Sequence, residues 1–294
     1  MKCASVGLLI TLHLLLLWFT PTHAQPNELT TADSSDIEFN TFSFAQHSLH
    51  YAYSGDVSKP GILFIHGTPG SWHAFQRYLK HVELQNDYFL VSIDRPGWGE
   101  SKTSLTPSKS SSPGKSKPTT SSNSFAFQAE FILAVMQHYP DKRWILVGHS
   151  LGASIAPKVA LLDSENINGL LLLSGSLAPS LGKPRWFNRV ANTLLLRWVL
   201  PSQWRYSNQE IMALEDELKT MEGDLQTKVL DIPVVLIQGM RDKLVSPKNA
   251  AYVRNKWPQS FANLDVVEIP KGGHFTPWKQ TPLVLEKLRG FPYK

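Results

Sequence analysis

Six short, nearly uninterrupted apolar runs punctuate this chain, at positions 62–65, 89–93, 144–147, 170–173, 233–237 and 266–269. A strand that is apolar at every position is covered on both faces, which marks a central strand of a parallel sheet. Ahead of them, Phe39, Phe42 and Phe44 on one side of Gln46-His47 and Leu49, Tyr51 and Tyr53 on the other fall largely on alternate positions. Period two on both sides of a polar pair predicts an antiparallel hairpin. Between the runs the spacing is helical: residues 72–84, residues 125–139 with Phe127, Phe131, Val135 and Met136 on one face, and residues 153–162. Ser246-Pro247 and Thr281-Pro282 each combine an N-cap with a proline at the first helical position, predicting helices to about Trp257 and Gly290. Strands alternating with helices predict an α/β chain built on a parallel sheet with right-handed crossovers.

Two segments break the alternation. Residues 102–124 are Ser, Thr, Pro and Lys with almost no apolar residue. Such a stretch cannot bury enough surface to offset its ordering entropy, so a solvated insertion is expected, with weak contact to an anionic surface as its functional alternative. Residues 181–230 lie between two sheet strands and read as a helical cap. Within it Ser207-x-x-Glu210 has the form of a capping box opening a helix, followed by the stripe Ile211, Leu214, Leu218, Met221 and Leu225.

At the N-terminus, Lys2, an apolar run over 6–19 and a small residue at Ala24 have the order of a secretory signal peptide, residues 1–24. Export to the periplasm or medium is the expectation, a retained membrane anchor the alternative. The only cysteine is Cys3, so the chain beyond that segment forms no disulfide and uses no thiol. The net charge of +5 is accounted for by Lys2, Lys102, Lys109, Lys115 and Lys117, and the remainder balances. A basic nucleic-acid face is therefore not indicated. Oligomeric state is not readable from the pattern.

The run at 144–147 leads into Gly148-His149-Ser150-Leu151-Gly152 and then a helix. Strand, Gly-x-Ser-x-Gly, helix is the context of a nucleophile elbow, although a tight turn with a capping serine has the same pentapeptide. A serine hydroxyl needs a base, and the base needs a carboxylate to orient it. Asp242 follows the run at 233–237, and His274 follows the run at 266–269, in the chain order Ser, Asp, His. The amide of Leu151, at a helix N-terminus, is one expected oxyanion donor. After the first buried run, His66-Gly67-Thr68-Pro69-Gly70 offers the second: Pro69 has no N–H, which leaves Thr68. Asp94 in the loop 94–101 is expected to be a structural hydrogen-bonder, and His149 to point away from the chemistry. No His/Glu spacing matches a metalloprotease motif and thiolate ligands are lacking, so no metal or other cofactor is expected. A cap crossing the sheet's carboxyl edge lines part of the cleft, so Trp186 and Trp198, with Trp72, are expected to face substrate.

In the loops 66–70 and 94–101, the elbow 148–152, Asp242 and His274, the chain resembles the α/β-hydrolase superfamily. The resemblance spans roughly 37–294, apart from the insertion and the cap. It implies a mostly parallel sheet of about eight strands flanked by helices, with a small helical cap. Within the superfamily it is to capped single-domain members such as small esterases, carbon–carbon bond hydrolases and prolyl iminopeptidases. Epoxide hydrolases and haloalkane dehalogenases share the loops but use aspartate where Ser150 stands. Prolyl iminopeptidases usually carry glycine where Thr68 stands. The expected function is hydrolysis of a small or medium apolar carboxylic ester, a small-molecule substrate, by Ser150, His274 and Asp242. Cleavage of an amide or carbon–carbon bond by the same residues is the alternative, and a non-catalytic ligand-binding protein is the reading from another class.

Overall fold

Eight strands among the described residues form one sheet: β1 (Glu38–Phe44), β2 (His47–Ser54), β3 (Gly61–Ile65), β4 (Phe89–Ile93), β5 (Trp144–His149), β6 (Ile167–Leu173), β7 (Val234–Gly239) and β8 (Leu264–Ile269). Their spatial order is β1-β2-β4-β3-β5-β6-β7-β8. The computed structural model describes residues 37–44, 47–101, 123–193, 200–261 and 263–292. The signal-peptide reading of 1–24, nearly all of the insertion 102–124, and Trp198 lie outside them.

The apolar runs become parallel strands, and only β1–β2 and β2–β4 pair antiparallel. Register is pinned by burial on both faces. Along β3, Leu63 and Ile65 belong to one core, while Ile62 and Phe64 belong to the other. Successive side chains leave a strand on opposite faces, so each run supplies both layers at once. Helices Phe125–Gln137 and Leu151–Leu162 cover the first face. The segment around Phe75–Leu84 and helix Thr281–Arg289 cover the second.

Residues 72–84 are not one helix. They divide into a 3-10 turn, Trp72–Phe75, and helices Gln76–Leu79 and Val82–Asp87. The break is at Lys80-His81, where His81 is extended. The first piece bends inward because the Trp72 amide is held by Asp94 Oδ1 at 2.8 Å. Ser124, at the end of the insertion, caps the next helix by accepting from the Phe127 amide.

The cap contains helix Trp186–Ala191 and the 25-residue helix Ser202–Gln226. Ser207 and Glu210 lie inside the longer helix rather than opening it. The start is set five residues earlier by Pro201, and Glu210 is drawn into the protein by Arg95 instead of turning back on its own backbone. The stripe holds: Leu218, Met221 and Leu225 are buried against the body, with Leu214 packed beside them. Asn188 and Asn208 tie the two cap helices together through reciprocal amide hydrogen bonds.

Candidate active site

The turn after β5 is as tight as its glycines demand. Ser150 has φ 54° and ψ −116°, a left-handed conformation that costs about 1–3 kcal/mol for a residue with a side chain. A Cβ on Gly148 would run into the Gly152 carbonyl, and one on Gly152 into the Ile65 carbonyl. Ser150 caps helix Leu151–Leu162 without using its side chain, so the hydroxyl is left for other work. Leu151 is the first helical residue, and its amide has no acceptor within the helix.

β5 and β8 are three strand spacings apart, roughly 14 Å. The loop after β8 closes that gap by folding back over the sheet edge. The His274 ring lies 4.7 Å, centroid to centroid, from the ring of His149, the residue preceding Ser150. His274 Nδ1 bonds Asp242 Oδ2 at 2.8 Å, with both side chains buried. The other carboxylate oxygen, Oδ1, accepts from the amides of Leu244 at 2.8 Å and Val245 at 2.9 Å. Those amides hold the carboxylate in place, and the carboxylate fixes the imidazole so that Nε2 is the nitrogen free for proton transfer. Among the described residues the Ser150 hydroxyl has no hydrogen-bond partner.

His149 is not a competing base. Its Nε2–H donates to the His274 carbonyl at 3.2 Å, and burial, with the charge of His274 second, holds its pKa well below the usual histidine value. It stays neutral and acts as the packing surface for His274.

The loop after β3 runs beside Ser150: a Cβ on Gly67 would lie 2.9 Å from the Ser150 Cβ. The Gly67 carbonyl accepts from His66 Nδ1 at 2.7 Å and from Arg95 Nη2 at 2.8 Å. In a trans peptide the carbonyl and the next N–H point in opposite directions. Pinning the Gly67 oxygen therefore fixes the direction of the Thr68 N–H, the expected oxyanion donor. Arg95 Nε also holds the His66 carbonyl, and its Nη1 reaches Glu210 of the cap at 2.5 Å. Gln128 Oε1 and Trp98 Nε1 complete this buried cluster. His66 accepts the Arg95 amide on Nε2, and burial together with the Arg95 charge keeps it neutral.

A profile of the alpha/beta hydrolase fold matches residues 60–202, from β3 through the elbow into the cap. The chain has the α/β-hydrolase fold. The chain is 21% identical over 276 residues to the uncharacterized hydrolase YugF of Bacillus subtilis, covering 83% of this chain and 94% of that one. It is 26% identical over 238 residues to RutD of Klebsiella pneumoniae, named for carbamate hydrolysis, covering 71% and 80%. Among solved structures, the epoxide hydrolase VrEH1 of Vigna radiata superposes with a TM-score of 0.64 at 16% identity, covering 89% of this chain and 100% of that one. At that identity the structural likeness speaks for the fold alone.

Two of the tryptophans expected at substrate are among the described residues. Trp72 is buried, stacked on His73 at 3.8 Å and edge-on to Phe39 at 5.2 Å. It lines a groove of about 390 Å³ with Trp98, Asp94 and Gln203, and Ser150 does not line that groove. Trp186 is 74% exposed at the surface of the cap. Asp94 is structural, as expected, holding His50 and the amides of Trp72 and Glu100. The sequence reading missed the Arg95–Glu210 link. Its signal was a charged pair in two segments each explained by local chemistry, a turn and a cap.

Proposed function

We propose that the chain is a serine hydrolase that cleaves a small or medium apolar carboxylic ester. The reading is carried by one relationship: the buried His274–Asp242 pair is folded back against the elbow that presents Ser150. Ser150 attacks the ester carbonyl, and His274 Nε2 takes its proton. The amides of Leu151 and Thr68 receive the oxyanion, where losing one donor costs about 10²–10³ in turnover. His274 returns the proton to the leaving alcohol. Water, activated by the same imidazole, then hydrolyses the acyl-enzyme. Asp242 keeps His274 in the right tautomer and favours its charged form.

A fluorophosphonate probe tests the reading, with p-nitrophenyl ester turnover measured in parallel. The expected result is one adduct on Ser150, lost in Ser150→Ala together with turnover. A probe that leaves Ser150 unlabelled in the folded protein would favour a ligand-binding protein on this scaffold. The similarity to RutD supports a second reading, cleavage of an amide or carbamate by the same residues. A panel of matched esters and amides separates the two by their relative kcat/KM.

A further inference from the structure

Of the ten exposed large hydrophobic residues among the described residues, five fall in three short segments: Trp186 and Val190, Met240 and Leu244, and Phe275. These segments meet. Arg185 Nη2 reaches the carbonyls of Lys243 at 3.1 Å and Leu244 at 3.3 Å, joining the cap to the loop after β7. The Arg241 amide donates to the Gly272 carbonyl at 2.7 Å, joining that loop to the one after β8. The His274–Asp242 bond spans the same two loops from inside. One continuous rim results, with Phe275 next to the imidazole.

The same rim carries a one-sided charge. Arg185, Arg189, Arg241, Lys271 and Lys279 belong to its segments and are all exposed. Over 183–193, 240–248 and 270–281 the only acid is Asp242, whose side chain is buried beneath the rim. Four acids of the adjoining cap helix are engaged elsewhere: Glu210 with Arg95, Glu217 with the Phe125 amide, Glu222 with Tyr252 and Asp224 with Lys158. Glu215 and Asp216 pair with Lys219 on their own helix. Among the described residues, these rim segments carry exposed cations and no exposed acid. Apart from Lys2 and the insertion the chain is neutral overall, yet folding gathers cations around this edge.

Exposed aromatic and aliphatic side chains interleaved with cations, and free of acids, match an anionic amphiphilic surface. Apolar side chains enter the headgroup–acyl boundary while the cations meet the headgroup charge. We infer that this rim docks the catalytic edge onto an anionic phospholipid surface. The inference rests on the rim's geometry and goes beyond the proposed chemistry. It orients Ser150 towards the lipid, so that an ester substrate would reach the site from the bilayer side.

Flotation of the full chain with phosphatidylcholine vesicles, with and without phosphatidylglycerol, tests it. The apolar N-terminus and the lysines of 102–124 are common to every rim variant, so differences among these variants report the rim. The expected wild-type preference for the anionic vesicles is about tenfold or more near 0.1 M salt, declining as salt rises. Arg189→Glu with Lys271→Glu should remove most of that preference. Trp186→Ser with Leu244→Ser should weaken binding to anionic vesicles severalfold. Lys59→Glu with Lys80→Glu, the same charge change on exposed lysines outside the rim, should bind as wild type. Equal losses in the rim and control pairs would mean that net charge, not this face, carries the binding, and would overturn the proposal. So would rim variants that bind as wild type, loss confined to a variant with serine at the four insertion lysines, or no preference in the wild-type chain. Ser150→Ala should bind as wild type, which separates failure of docking from failure of the catalytic reading.

Discussion

Arg95 and Glu210 form an ion pair with both side chains out of water, one at the sheet edge and the other on the cap helix. The same guanidinium holds the Gly67 carbonyl, so cap and oxyanion loop share one cation. Breaking such a pair leaves a charge buried and unpaired, which costs about 3–5 kcal/mol, whereas replacing both partners by apolar residues is often neutral. Glu210→Ala should therefore lower the unfolding free energy by about that amount in chemical denaturation. Arg95→Met with Glu210→Leu should recover most of it. Turnover should not recover in the double variant, because the Gly67 carbonyl has lost its guanidinium donor. Stability and kcat returning together would show the pair to be a structural brace only.

Asp242 holds His274 by a single 2.8 Å bond. Asp242→Asn keeps the shape but presents an amide in place of the carboxylate, so the imidazole can adopt the wrong tautomer. Steady-state kinetics on an ester should show kcat down by a factor of about 10⁴, with a small change in KM. A loss under tenfold would remove Asp242 from the triad.

Gly152→Ala tests the tightness of the elbow. The new Cβ meets backbone, the Ile65 carbonyl, which cannot swing away as a side-chain tip can. Destabilisation should be at the upper end of the overpacking range, about 3 kcal/mol or more. Thermal melting checks this; a melting temperature matching the wild type would contradict the observed strand–helix contact.

His149 and His66 are both held neutral by burial, with pKa values well below the ordinary 6.5. Below about pH 6.5 the unfolded chain takes up protons that the folded one refuses. Their contribution is complete above that pH and is lost as the pH falls below it. Each group adds a slope of about 1.4 kcal/mol per pH unit in that window. His149→Leu should flatten the acid limb of stability against pH by roughly one such slope. An unchanged limb would mean that His149 titrates normally in the folded protein.

The strands were legible because their chemistry is local. A run such as 62–65 is apolar at every position, and only a doubly covered strand accommodates that. The elbow was legible for the same reason, since glycine, serine and glycine at this spacing meet a backbone constraint within five residues. The order Ser150, Asp242, His274 could be read because each follows a recognisable strand. Glu210 was misread: Ser207-x-x-Glu210 satisfies a capping pattern, but a guanidinium 115 positions away claims the carboxylate. The exposure of Trp186 was not legible, because an aromatic in a cap segment has the same local signature whether it faces the body or solvent.

The sequence by itself determined the strands, the order in which polar side chains leave their ends, and the neutrality of the chain apart from Lys2 and the insertion. Those properties depend on periodicity and composition along a few neighbouring residues. Tertiary structure alone decided that His274 reaches back to the elbow, that Arg95 joins the cap to the Gly67 carbonyl, and that cations spaced evenly enough to cancel along the chain gather on one rim. Each of these is a distance between residues far apart in sequence, set by how helices and loops close over the sheet, and no local pattern encodes it.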